Sequence, residues 1–240
     1  MSSQLALNLK LRAGSAFGNF IAGRNAQVLE RVSAAVGAMQ ATAANHPPVL
    51  ASIFLWGESG CGKTHLLEAA CRVAHEAGMS PAYVSFQDAH QFPVALLEGL
   101  EQAGLVALDD LQCMAGQSAW ERAVFGLYEQ LRARGGLLLT AARANPATLG
   151  VGLPDLASRL GAGLVYQLHL PADTDKILAL RQRSTQRGMD MPEEVARYIL
   201  ARYPRDMHAL FQLLDRIDQA SLAAQRRLTI PFVRSIIGGA

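Results

Sequence analysis

Eight consecutive residues, Gly57-Glu58-Ser59-Gly60-Cys61-Gly62-Lys63-Thr64, spell G-x-x-x-x-G-K-[ST]. The chemistry this spacing serves is the grip of a polyphosphate. Gly57, Gly60 and Gly62 let the backbone curl so that several N–H groups converge on phosphate oxygens. Lys63 is placed to reach the β- and γ-phosphates, and the Thr64 hydroxyl to hold Mg²⁺. Cys61 occupies a variable position and is given no chemistry. Downstream, Leu105-Val106-Ala107-Leu108-Asp109-Asp110 is an apolar run that ends in paired carboxylates. Asp109 suits the holding of Mg²⁺, directly or through water, and Asp110 the polarising of an attacking water. Two aspartates after a strand are, by themselves, more often a turn or a cap. With a phosphate loop upstream and one strand between, they read as the metal-and-water half of a nucleotide site. The pair of motifs implies a core that binds ADP or ATP with Mg²⁺.

Such a loop needs a strand before it and a helix after it, because the helix N-terminus adds its own attraction for anions. Ser52 to Trp56 reads as a buried strand and Lys63 to Ala77 as a helix stopped by Gly78. Ala82 to Phe86, Leu105 to Leu108, Leu137 to Thr140 and Leu164 to Leu168 read as four further strands. Helices are expected between them over Pro93 to Ala103 and Ala119 to Arg134. Continuous apolar runs alternating with helices imply an α/β fold with a five-stranded parallel sheet buried on both faces. After Pro171 only helical periodicity remains: Asp175 to Arg187, Glu193 to Arg202, Met207 to Gln225, and a last helix from Ile230 with Thr229 as N-cap. The expected organisation is therefore an N-terminal peptide over 1–16, an α/β domain over 17–171 and a small all-helical domain over 172–240.

The 240 residues are 50% hydrophobic and 18% charged, which excludes intrinsic disorder and allows a large core. A formal charge of +2 argues against a protein that lives mainly on nucleic acid or another polyphosphate surface. Lys10 and Arg12 follow the first apolar residues, the wrong order for a signal peptide, and the apolar runs are too short for a bilayer. A cytoplasmic protein with no membrane partner is expected. Cys61, Cys71 and Cys113 form no metal-binding pair, and Cys71 and Cys113 read as small core hydrophobes.

The order phosphate loop, strand-Asp-Asp, strand-Thr, Ser-Arg, helical lid resembles the AAA+ class. Within it the chain is similar to the DnaA-related branch and to its regulatory inactivators, the Hda group. Phe17-Gly18-Asn19-Phe20-Ile21-Ala22-Gly23-Arg24-Asn25 resembles the segment that lies against the adenine base, which implies contacts from Phe20 and Ile21. Gly152 to Leu160 resembles the segment bearing an arginine finger, here Arg159. Tyr203-Pro204-Arg205-Asp206-Met207 resembles the sensor 2 region, which implies Arg205 near the phosphates. Arg226 to Val233 resembles the characteristic ending of the Hda group. By residue type alone Arg159 and Arg205 are ordinary surface ion-pairing residues. The resemblance assigns them roles, and the chemistry suits: a planar guanidinium never deprotonates and can bridge two phosphate oxygens.

Gln4-Leu5-Ala6-Leu7-Asn8-Leu9 resembles the group's short clamp-binding peptide. Gln4 would supply a specific hydrogen bond, and Leu5, Leu7 and Leu9 apolar anchors. The same alternation also reads as an extra strand. The resemblance thus implies a nucleotide-bound regulator of replication initiation with two protein partners, the DnaA initiator and the DNA polymerase sliding clamp. Self-association is a further reading. No basic reading helix is found, so DNA would be met only through the clamp. The alternative is a self-sufficient AAA+ ATPase that uses Asp110 for its own turnover, as a loader or adaptor for another replication protein. Relatives carry a polar or acidic residue just after the fourth strand, whereas this chain has Ala141 and Ala142. Thr140 retains the capacity to orient a water or phosphate; the two alanines do not, which fits a stable nucleotide complex better than turnover.

Overall fold

The computed structural model describes residues 14–41, 51–224 and 228–238. Five parallel strands form one sheet: β1 (Ala51–Trp56), β2 (Ala82–Ser85), β3 (Leu105–Asp109), β4 (Leu137–Ala142) and β5 (Leu164–Gln167). Their spatial order is β2-β3-β4-β1-β5. Around them lie α1 (Ala26–Ala41), α2 (Lys63–Glu76), α3 (Ser118–Arg134) and α4 (Pro154–Ala162). Every side chain of β3 and β4 is buried, as expected of central strands covered on both faces.

Strand alternation divides the core in two. Ile53, Leu55, Leu105, Ala107, Leu137 and Leu139 pack with Leu66, Leu67 and Ala70 of α2 and Val32 and Val36 of α1. Phe54, Leu108, Leu138 and Ala142 pack with Val124, Leu127 and Leu131 of α3 and Leu156 and Leu160 of α4. Fully burying one such leucine contributes about 1.5–3 kcal/mol, so each face is a substantial part of the stability. The period of two has a second consequence: Asp109 falls on the α2 face with Leu105 and Ala107.

Three expectations change. Residues 93–103 are not a helix but short 3-10 turns, Val94–Leu97 and Leu100–Gln102. Gly99 at φ +85° breaks the run between them, and the chain at Pro93 is extended. β5 is an edge strand paired only with β1, and Leu164 and Val165 are 51% and 37% exposed rather than buried. Cys113 is exposed, because it lies in the turn that follows Asp110 and not in the core. Two helices, α1 and α4, add to those expected.

The described residues form two compact units, one drawn from residues 14–20 and 25–169, the other from Ile21–Arg24 and 170–238. In the first, the Asn25 carboxamide donates to the His169 carbonyl at 2.9 Å and accepts from the His169 N–H at 2.8 Å. The second holds α5 (Asp173–Gln186), α6 (Glu193–Arg202), α7 (Met207–Ala224) and α8 (Ile230–Ile237). Their core is Leu180, Ile199, Leu213, Leu214, Ile217 and Val233. Thr229 caps α8, its hydroxyl accepting from the Phe232 N–H, with Pro231 in the first turn.

Candidate functional site

The loop from Gly57 to Thr64 leaves the end of β1 and enters α2. It starts tied to β4, since the Gly57 N–H donates to the Ala142 carbonyl at 3.3 Å. Gly57, Gly60 and Gly62 have φ of +152°, +84° and +101°, conformations that L side chains rarely adopt. Space is also short. A Cβ on Gly57 would lie 2.4 Å from the Leu168 carbonyl oxygen, and one on Gly62 would lie 2.6 Å from the Phe20 ring. Phe20 thus lies against the loop, and its ring centroid is 5.4 Å from that of His65 on α2. The Lys63 ammonium is buried within the loop and donates to the carbonyls of Gly57 at 2.7 Å and Glu58 at 2.9 Å. Burial pushes the neighbouring Cys61 thiol up, against the pull of that ammonium.

Asp109 ends β3 and is 1% exposed. The hydroxyls of Thr64 and Tyr83 donate to its Oδ2 at 2.6 and 2.9 Å, and the Asp110 N–H donates to Oδ1 at 2.8 Å. Burial nevertheless raises its pKa above the ordinary aspartate value, helped by the neighbouring Asp110. Tyr83 is pushed up as well, by burial and by Asp109. An ionised carboxylate here is under-compensated, which is the condition a cation relieves. A hydroxyl and a carboxylate are the hard oxygen donors Mg²⁺ takes, and Mg²⁺ typically uses only one or two protein ligands beside a phosphate. The residues present therefore fit Mg²⁺. Among the described residues no cluster of three or more His, Cys, Asp or Glu could hold a metal by itself.

Asp110 is the only non-glycine among the described residues with positive φ, +56°. Such a conformation costs on the order of 1–3 kcal/mol and is typical of functional sites. Its carboxylate accepts from the Gln112 amide at 2.8 Å, and the Gln112 carbonyl accepts from the Arg143 N–H at 3.1 Å. The ends of β3 and β4 are thereby joined. Thr140 is not brought to this site. It pairs in register with Phe54, two residues before the end of β1, and faces away from α2. Its hydroxyl is buried and donates to the Ile53 carbonyl at 3.4 Å. Thr140 thus packs within the sheet, in the middle of its strand.

Arg159 lies on α4 in the same unit, and its Nε is 2.9 Å from Oε1 of Glu129 on α3. α4 is itself fixed from α3. The Glu121 carboxylate, 2% exposed, accepts from the N–H groups of Gly116 at 2.7 Å and of Gly152 and Leu153 at 2.9 Å each. The last two lie at the N-terminus of α4, where a negative charge is favoured. Ile21 and Arg205 belong to the helical unit, in which Arg205 donates to Asp173 at 3.3 Å. Gln4, Leu5, Leu7 and Leu9 lie outside the described residues. Sequence reasoning missed Tyr83, Gln112, Glu121 and Glu129. Only Tyr83 left a trace, as one of two hydroxyl side chains in β2, the other being Ser85.

The model of the bacterial DnaA ATPase domain matches residues 11–167, well over half of the chain. The chain belongs to the DnaA family. Residues 173–237 match the model of the Hda lid domain, so this DnaA-related AAA+ core carries an Hda-type lid. The solved structure of AMPPCP-bound DnaA from Aquifex aeolicus is similar at 23% identity, with TM-score 0.71 over 89% of this chain and 68% of that one. Domain III of the replication initiation protein DnaA from Thermotoga maritima aligns at 18% identity and TM-score 0.74, covering 94% and 96%. The RuvB Holliday junction branch migration motor from Thermotoga maritima aligns at 17% and 0.69, covering 95% and 72%. All three share the AAA+ nucleotide-binding fold with this DnaA-family chain. No helix among the described residues is long and apolar enough to cross a membrane.

Proposed function

We propose that this protein is a cytoplasmic, nucleotide-bound regulator of replication initiation that stimulates ATP hydrolysis by DnaA in trans and so switches the initiator off. The observation that carries the reading is Arg159: partly exposed, on a helix held rigidly by Glu121, in a DnaA-family core with an Hda-type lid. A regulator of this kind needs one fixed cationic group that can reach a partner's phosphates.

The chain's own nucleotide, ADP or ATP, would lie in the loop of Gly57, Gly60 and Gly62. Lys63 would exchange the loop carbonyls for phosphate oxygens, and Phe20 and Ile21 would lie toward the base, with Arg205 contributing from the lid. Thr64 and Asp109 would hold Mg²⁺, whose chemistry is to neutralise phosphate charge. The residue pair Ala141-Ala142 at the end of β4 and the tethering of Asp110 by Gln112 favour holding this nucleotide over hydrolysing it. Gln4 to Leu9 would dock on the sliding clamp and bring Arg159 to ATP-bound DnaA. There the guanidinium stabilises charge that develops on the transferring phosphoryl group, an effect worth orders of magnitude in rate.

The test is turnover of DnaA-bound ATP with clamp loaded on DNA. Wild type is expected to accelerate it and R159A to fail while still binding nucleotide. If R159A accelerates as well as wild type, the finger assignment is wrong. Deleting residues 4–9 should abolish clamp binding and leave nucleotide binding intact. Steady hydrolysis by the purified chain alone would instead favour the self-sufficient ATPase.

A further inference from the structure

Helix α3 grips the Arg159 segment at two points. Glu121 fixes the first turn of α4 through the backbone N–H groups of Gly152 and Leu153, as described above. A little over two turns further along α3, Glu129 meets the Arg159 side chain itself. These two contacts have different characters. Glu121 is buried and sets where α4 lies; Glu129 and Arg159 are 37% and 40% exposed and set where the guanidinium points.

The atoms in the second contact matter. Glu129 Oε1 lies 2.9 Å from Arg159 Nε as an ion pair without hydrogen-bond geometry, and Oε1 has no hydrogen-bond partner among the described residues. A guanidinium has two edges suited to gripping a pair of oxygens, and Glu129 closes neither of them with a hydrogen bond. The other carboxylate oxygen, Oε2, is 3.7 Å from Arg132 Nη1 of the same helix. Glu129 is therefore shared between two cations, which limits how tightly it retains either one. A long side chain that would otherwise sample many rotamers is thus drawn toward α3 by charge, and the charge needed for a phosphate is not consumed by a closed bidentate pair.

We propose that Glu129 is a positioning residue for Arg159, holding the guanidinium beside α3 by its charge while leaving its hydrogen-bonding edges open to a phosphate of the nucleotide bound by the partner. This rests on the reading that Arg159 acts in trans. The gain is orientational, since reactions in a preformed site are sensitive to small misplacements of a charged group.

The experiment measures turnover of DnaA-bound ATP with clamp loaded on DNA, titrating the regulator in wild-type, E129A, E129Q, R159A and R159A/E129A forms. E129A is expected to lower the maximal rate roughly two- to fivefold, the range an exposed ion pair supports. The concentration giving half-maximal stimulation should not move. E129Q keeps the size of the side chain without the charge and should fall with E129A, since the contact acts through charge. In the R159A background, adding E129A should change nothing, because the side chain it positions is gone. A purely structural role would lower the double variant further and would lower its melting temperature as well. The proposal is overturned if E129A keeps the wild-type maximal rate or exceeds it. It is also overturned if E129A has the same effect with and without Arg159. Should R159A itself stimulate like wild type, the finger reading fails first and the proposal with it. R159A inactive beside an unaffected E129A would leave the finger standing and remove only Glu129's role.

Discussion

Replacing Glu121 by Gln should be among the most damaging single-atom changes in the first unit, and its cost follows from the contacts. Oε1 accepts from the N–H groups of Gly116 and Gly152, and Oε2 accepts from that of Leu153. Each is a charge-assisted bond in a site that is 2% exposed. A glutamine offers one oxygen and one NH₂. If its oxygen faces Gly116 and Gly152, two bonds drop from charged to neutral, each losing about 1 kcal/mol, and the Leu153 N–H faces a second donor, which costs about 1–3 kcal/mol more. The sum is about 3–5 kcal/mol, a large share of the roughly 5–15 kcal/mol that stabilises a typical domain. Both tryptophans, Trp56 and Trp120, lie in this unit. Tryptophan fluorescence in a urea titration therefore follows its unfolding while the helical unit is silent. The midpoint should fall at unchanged slope, and the melting temperature by about 6–20 °C. E129Q, on the same helix but at an exposed pair, is the control and should stay within about 1 kcal/mol of wild type. An E121Q loss below about 1 kcal/mol would show that water or a neighbouring group satisfies these N–H groups, and the anchoring of α4 by Glu121 would be wrong.

Other predictions concern the phosphate loop. Gly57→Ala meets both a positive φ and the Leu168 carbonyl oxygen at 2.4 Å, whereas Gly78→Ala meets a positive φ of +80° with nothing within 4 Å. Calorimetry should show a loss of about 1–2 kcal/mol for G78A, from backbone strain alone, and at least about 2 kcal/mol more for G57A. Equal losses would mean that the backbone of β5 yields freely. Asp109→Asn tests the raised aspartate. Its amide can donate to the Thr64 and Tyr83 hydroxyls, which reverse roles, while its oxygen still accepts from Asp110. In wild type the folded state keeps this proton to higher pH than the unfolded chain, so stability from this group is full below the ordinary aspartate range and lost as pH rises through the raised value. Without nucleotide, D109N should therefore match wild type in acid and melt higher near neutrality. A lower melting temperature at neutral pH would refute the assignment. Nucleotide affinity of the same variant should lose its dependence on Mg²⁺, measured by titration calorimetry.

Legibility in the sequence followed how local each signal is. The five strands were readable because central parallel strands are apolar on both faces, yet the same reading gave β5 neighbours it lacks. An apolar run such as Leu164 to Gln167 does not record how many strands flank it. α1 was hidden because its buried valines, Val28, Val32 and Val36, are diluted by Ala and Gly, which mark neither face. α4 is short and offers only Leu156 and Leu160. The expected helix over 93–103 had the right spacing, but Gly99 stands at positive φ where a helix would need −63°. The phosphate loop was readable because its chemistry is contiguous in the chain. Gln112, Glu121 and Glu129 were not, because each acts on a partner brought near by folding, and a glutamate on a helix surface is the commonest of sights. The Hda-type lid was readable helix by helix, though periodicity carries no information on what Arg205 meets.

Two buried carboxylates in one unit show how burial separates scaffold from chemistry. Glu121 and Asp109 are 2% and 1% exposed, and each accepts three hydrogen bonds. All three donors to Glu121 are backbone N–H groups, two of them at a helix N-terminus whose dipole favours the anion. Such donors cannot reverse, so the site holds one geometry. Asp109 receives one N–H and two hydroxyls, and a second carboxylate, Asp110, stands beside it. Hydroxyls can turn and accept as easily as they donate. That site tolerates a proton or a cation in place of the bare anion, and the upward displacement of its pKa expresses the same fact. The fixed donors mark the residue that holds α4 and Arg159 in place. The adjustable ones mark the residue suited to a cation that comes and goes with nucleotide. Donor type, more than depth of burial, is what distinguishes them.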